Sequence, residues 1–162
     1  PTMTAPLTPA PRDALSSAPR STIETLQAVV LAMPMARTLG LRFVHAEPGR
    51  VEVEIPVSEA FSFRPGQLQA TAIFALGDFA AVSAAGSLLP AGWANATVDG
   101  SVKLFAPARG THLRARGRVV DSGRVLSICA ADLYAVAEDG HETHCATWLG
   151  TARNLEPRPA RA

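Results

Sequence analysis

Asp78 is the one charged side chain between Arg64 and Asp99. It stands inside an apolar stretch, residues 66–89, that Ala, Leu, Phe and Ile dominate. A lone carboxylate there is costly unless it is paired, hydrogen-bonded or used. Used, it is a general base or a nucleophile. Either role suits attack on an acyl carbonyl carbon, a reaction that also needs donors for the oxyanion. The same stretch supplies them. A helix starting near Gln69, Ala70 and Thr71 leaves its first N–H groups without partners in the helix, and its dipole favours negative charge there. The competing reading makes Asp78 structural, capping a neighbour's backbone or pairing with a basic residue across an interface.

Spacing constrains the assembly. Ala70 and Asp78 are eight positions apart (78 − 70 = 8). At ~1.5 Å per residue they are separated by about 12 Å, too far to hold one carbonyl between them. A site using both therefore takes Asp78 from one chain and a helix start from another.

Other residues carry weaker signals. Lys103, Arg109 and Arg124 fall at expected strand ends and turns, where cations can meet phosphates. Each fits solvated surface charge as well. His141 and His144 are three apart on an expected strand, so they point to opposite faces and cannot chelate together. No metal or cofactor is expected. Ser83, Ser87 and Ser101 lack a nucleophile-elbow pattern, and no Gly-rich phosphate loop occurs. Pairing the last two strands puts Cys129 opposite about Leu149 and Cys145 opposite about Leu133, so the two thiols do not meet.

The elements that must position these residues follow from pattern. The stretch at 66–89 reads as a helix apolar on most sides, which must be buried. Asp78 shares its face with Thr71, Phe74, Ala75, Ala81, Val82 and Ala85. Ahead of it, Ser21-Thr22-Ile23-Glu24 fits a capping box. An apolar helix runs from there to about Thr38, is broken before Pro34, and ends at Gly40. Residues 41–46 and 51–55 read as strands around a Glu47-Pro48-Gly49-Arg50 turn. Residues 96–105, 111–121, 124–136 and 141–154 are four more, separated by Gly-bearing turns. Arg114, Arg116 and Arg118 alternate, so one face of their strand meets solvent or an anion. An antiparallel sheet wrapped around one buried helix is the simplest α+β packing of this order.

The 162 residues fit one domain, 48% hydrophobic and 18% charged. The net charge of +1 argues against general binding to nucleic acid or membrane. Residues 1–20, rich in Pro, Ala, Ser and Thr, are expected to be a disordered arm, and 156–162 a similar tail. No secretory pattern opens the chain, and two cysteines make no disulfide framework; a cytoplasmic protein is expected.

Three stretches carry a likeness. Gly66-Gln67-Leu68 followed by Ala75-Leu76-Gly77-Asp78-Phe79-Ala80 is the first, and Thr97-Val98-Asp99-Gly100-Ser101-Val102-Lys103-Leu104-Phe105-Ala106-Pro107 the second. Gly123-Arg124-Val125-Leu126-Ser127 is the third. In this order the chain over residues 21–155 resembles the hotdog-fold thioesterases of the phenylacetic-acid, or PaaI-like, type that act on acyl-CoA. The resemblance implies a hotdog domain with its site between paired subunits, a homodimer at least. It leaves open whether dimers pair into a homotetramer. It makes Asp78 the catalytic acid residue and matches Thr97 to a place from which a hydroxyl holds the attacking water. Gln69-Ala70-Thr71 stands where many members carry His-Gly-Gly, and Phe63 where an Asn or Gln often sits. A backbone donor does not need glycine, so Ala70 can serve. Phe63, Phe74 and Phe79 suggest an apolar pocket for a medium-chain or aromatic acyl group. The second reading is a non-catalytic acyl-CoA or fatty-acyl binding protein on the same fold.

Overall fold

The computed structural model describes residues 20–157. Most of the expected arm and tail lies outside the described residues. Helix α1 (Arg20–Ala32) is followed by α2 (Pro34–Leu39), with Pro34 at the first turn and Gly40 closing α2 in the left-handed region at φ 70°. The break before Pro34 is therefore where its ring requires it. Ser21 falls inside α1 rather than at its cap.

Strands β1 (Arg42–Glu47) and β2 (Arg50–Pro56) form the first hairpin. A single 3-10 turn, Glu59–Phe61, leads to the short strands β3 (Ser62–Arg64) and β4 (Gln67–Leu68), which pair with each other. The central helix α3 spans Ala70–Gly86. Then come β5 (Ala94–Leu104), β6 (His112–Ser122), β7 (Leu126–Val136) and β8 (Glu142–Leu155). His141 precedes β8, in the turn, where its N–H donates to Asp139 Oδ1 at 2.9 Å. Six strands make one antiparallel sheet in the order β1-β2-β6-β7-β8-β5. Among the described residues no helix is long and apolar enough to cross a membrane.

The sheet wraps α3 as the composition of that helix demands. Val51, Val53, Ile55, Leu113, Ala115, Cys129, Ala131, Leu133 and Trp148 face Ala72, Leu76, Ala80, Ala81 and Ala84 across one core. Alanines on the helix let the strands come close. At Gly117 a Cβ would fall 2.1 Å from the Ala80 carbonyl oxygen, so β6 tolerates no side chain there.

The outer face of the sheet carries the alternating arginines, and the anions they meet belong to the chain itself. Arg114 reaches Glu52, Glu54 and Glu142; Arg116 reaches Glu52 and Glu142; Arg118 reaches Asp132. Glu54, 2% exposed, also pairs with Arg42 and His112. Both cysteines are free and buried, and burial pushes their thiols up to about 12 for Cys129 and about 11 for Cys145. Cys129 faces Gly150, one place from the expected Leu149, because a bulge in the β7–β8 pair shifts the register beyond Leu133.

Candidate active site

Asp78 sits in the middle of α3, half-buried, and Thr97 Oγ1 of β5 donates to its Oδ1 at 2.8 Å. Burial raises the carboxyl above its ordinary range, and the Thr97 hydroxyl opposes that rise by stabilising the anion. A carboxylate tuned upward and still hydrogen-bonded is a better base than one in water.

Asp78 and Thr97 line a cavity of about 450 Å³. Its far wall is helix α1, through Leu26, Val29 and Val30, with Met33 just beyond the helix, and its near wall is α3, through Phe79 and Val82. Trp93 and Leu89 also line it. Leu26, Val29 and Val30 recur at helical spacing on one face of α1. Their role as a cavity wall depends on where α1 crosses α3, which periodicity does not encode.

The start of α3 lies elsewhere on the chain. Gln69 caps α3 with no side-chain bond, and its N–H donates to the Phe61 carbonyl at 2.8 Å. Among the described residues nothing accepts from the Ala70 or Thr71 N–H. Gln69 and Ala70 line a second cavity of about 480 Å³ with Phe63, Ile73 and Phe105. The two cavities share no lining residue. One chain thus keeps Asp78 and the helix start in separate hollows, in keeping with their spacing along α3.

The remaining candidates divide. Arg109 Nε donates to Gln67 Oε1 at 2.9 Å, which sets it at the rim of the second cavity. Lys103 lies on exposed β5 next to Leu104, a wall of that cavity. Arg124 is at the other end of the sheet, paired with Glu156 at 2.8 Å. The three phenylalanines do not converge within one chain. Phe79 lines the first cavity, Phe63 the second, and Phe74 packs edge-on against Trp148 at 5.9 Å. Phe74 and Phe79 are five positions apart, about 140° around the helix, so they cannot share a face.

One face of α3 is left open by its own sheet. Thr71 is exposed, and Phe74, Asp78 and Val82 are half-buried, while the opposite side is fully covered. Strand β5 ends the sheet, and nearly all its residues are exposed, Val98 at 59%. This eleven-residue edge strand, with no strand paired on its outer side, lies beside the open face of α3.

Among solved structures, a thioesterase family protein from Silicibacter pomeroyi is 33% identical, with TM-score 0.78 over 82% of this chain and 97% of that one. A thioesterase from Haemophilus influenzae has TM-score 0.72 at 18% identity, covering 87% of this chain and 95% of its own. The E. coli PaaI protein from the phenylacetic acid degradation operon has TM-score 0.73 at 17% identity, covering 87% and 98%. The last two share the fold. No family model matches the chain. No curated protein matches it. One third identity across almost the whole of a thioesterase family protein, on the same α3-in-sheet architecture, makes the chain a member of the hotdog-fold thioesterase family, whose members are thioester hydrolases.

Proposed function

We propose that the protein hydrolyses a medium-chain or aromatic acyl-CoA, with Asp78 of one subunit as base or nucleophile and the start of α3 of a second subunit as the oxyanion site. The observation that carries this reading is Asp78 itself: half-buried, held by Thr97, and facing both a cavity and the uncovered side of α3.

Two chains joined along their β5 edges would set their α3 helices antiparallel on one side of a continuous sheet. If the helices cross at Phe74, Asp78 lies four residues beyond the crossing and the partner copy of Ala70 four residues before it. The two then come level. The acyl group enters the cavity between α1 and α3, whose lining is apolar apart from a few polar groups, as small-molecule sites usually are. The CoA arm runs toward the second subunit, where Arg109 and Lys103 can meet phosphate. Asp78 then activates water for the thioester carbon, or attacks it directly, while the Ala70 N–H receives the oxyanion charge.

Steady-state hydrolysis of acetyl-, hexanoyl-, decanoyl- and phenylacetyl-CoA tests this. Turnover of the longer and aromatic esters ahead of acetyl-CoA is expected. Saturable binding with no turnover would favour the acyl-CoA binding reading. Acetyl-CoA as the best substrate would overturn the assigned pocket.

A further inference from the structure

Trp148, the largest fully buried side chain, stands in β8 facing α3, and its slot is made by three glycines from three elements. A Cβ at Gly77 of α3 would fall 2.8 Å from Trp148 Cβ. One at Gly100 of β5 would fall 2.5 Å from Cζ2, and one at Gly150 of β8 would fall 2.5 Å from Cη2. Gly100 and Gly150 are direct partners in the β5–β8 register. The indole therefore lies over a depression two glycines wide in the sheet and under a glycine of the helix. Phe74 closes the slot edge-on.

Gly77 immediately precedes Asp78, and Gly100 follows Thr97 across the bulge at Thr97/Asp99 in β5. The ring therefore touches α3 and β5 beside the two residues that hydrogen-bond at 2.8 Å. Among the described residues, Trp148 Nε1 is also the one fully buried side-chain nitrogen or oxygen lacking a hydrogen-bond partner. A buried donor without a partner is a cost to the fold. Phenylalanine would avoid that cost and is smaller. The slot thus uses the breadth of the indole and not its N–H.

We propose that Trp148 is a positioning residue for the site, its indole setting the gap between α3 and β5 across which Thr97 Oγ1 donates to Asp78 Oδ1. It rests on the reading of Asp78 as the catalytic carboxylate only for its consequence in turnover. The gap between α3 and β5 is read by the Asp78 titration, without activity.

The test is a carbon-13 carboxyl NMR titration of Asp78 in the full chain, its resonance assigned by loss in Asp78→Asn. It is run on wild type, Trp148→Phe, Gly100→Ala and Trp148→Phe/Gly100→Ala, with melting temperature and hydrolysis kinetics on the same preparations. In Trp148→Phe the Asp78 midpoint should move to higher pH, because the Thr97 contact that holds it down is weakened. The rate should fall by about 10-fold or more in kcat with KM little changed, as expected of a small displacement of a reacting group. In the double variant the added methyl refills part of the space of Cζ2, and the midpoint should return toward wild type. Gly100→Ala alone clashes with the intact ring and should also displace the midpoint. An Asp78 titration that is the same in all variants, with only the melting temperature changed, overturns the proposal. A shifted midpoint with unchanged turnover upholds the positioning role of Trp148 and overturns instead the catalytic reading of Asp78.

Discussion

At Asp78 two opposed influences meet, and each gives a measurable sign. Burial raises the carboxyl above its ordinary value of 3.8, and the Thr97 hydroxyl pulls it back. Removing the hydroxyl in Thr97→Val should therefore move the acid limb of the kcat/KM profile to higher pH. A limb that stays in place or moves down would contradict the pairing. The stability sign follows from the same raised value. The folded chain holds this proton more tightly than the unfolded chain, so Asp78 favours folding below about pH 3.8 and loses that contribution as pH rises through its folded value. Asp78→Asn should thus match or exceed wild type in melting temperature at neutral pH. Its kcat should fall by about 10²–10⁴, the usual worth of a positioned acid–base group. A variant that melts early yet keeps its turnover per folded molecule would make Asp78 structural. Asp78 was legible because it was alone: one charge in an apolar helix is visible in any sequence. Trp148 was not, because its significance lies in Gly77, Gly100 and Gly150 converging from three elements.

Among the elements, α3 carries most of the account. Its composition required burial, and its bounds, Ala70–Gly86, sit within the apolar stretch. The strands were legible from alternation and their Gly-bearing turns. The register was less so, since a bulge such as that in β7–β8 moves every later pair by one place. The outer arginines alternated plainly in the sequence, but the carboxylates that satisfy them come from β2, β7 and β8, which only the strand order brings together. The start of α3 offers a clean substitution. Ala70 is the first helical residue after Gln69, whose φ −73° and ψ 149° suit a residue before proline. Proline is tolerated at this position and its nitrogen carries no hydrogen. Ala70→Pro should therefore keep its melting temperature within a few degrees and lose about 10²–10³ in kcat, the cost of one oxyanion donor. Unchanged kcat would remove the Ala70 N–H from the mechanism.

For the molecule as a whole, the proposed function makes one chain half a site. The eight-residue gap along α3 leads to that reading, and the unpaired β5 edge beside the open face of α3 supports it. What the sequence did not disclose is the separation of the two hollows, since cavity walls are made by crossing angles that no periodicity encodes. The most direct measurement is subunit mixing. Asp78→Asn and Ala70→Pro chains, each nearly inactive alone, are unfolded together, refolded together and assayed. In a hybrid dimer one site combines the intact Asp78 of one chain with the intact Ala70 N–H of the other, while the second site has neither. Recovery to about a quarter of wild-type activity is expected, since about half of the dimers are hybrids with one working site of two. A mixture no more active than its two components would contradict a site shared between subunits.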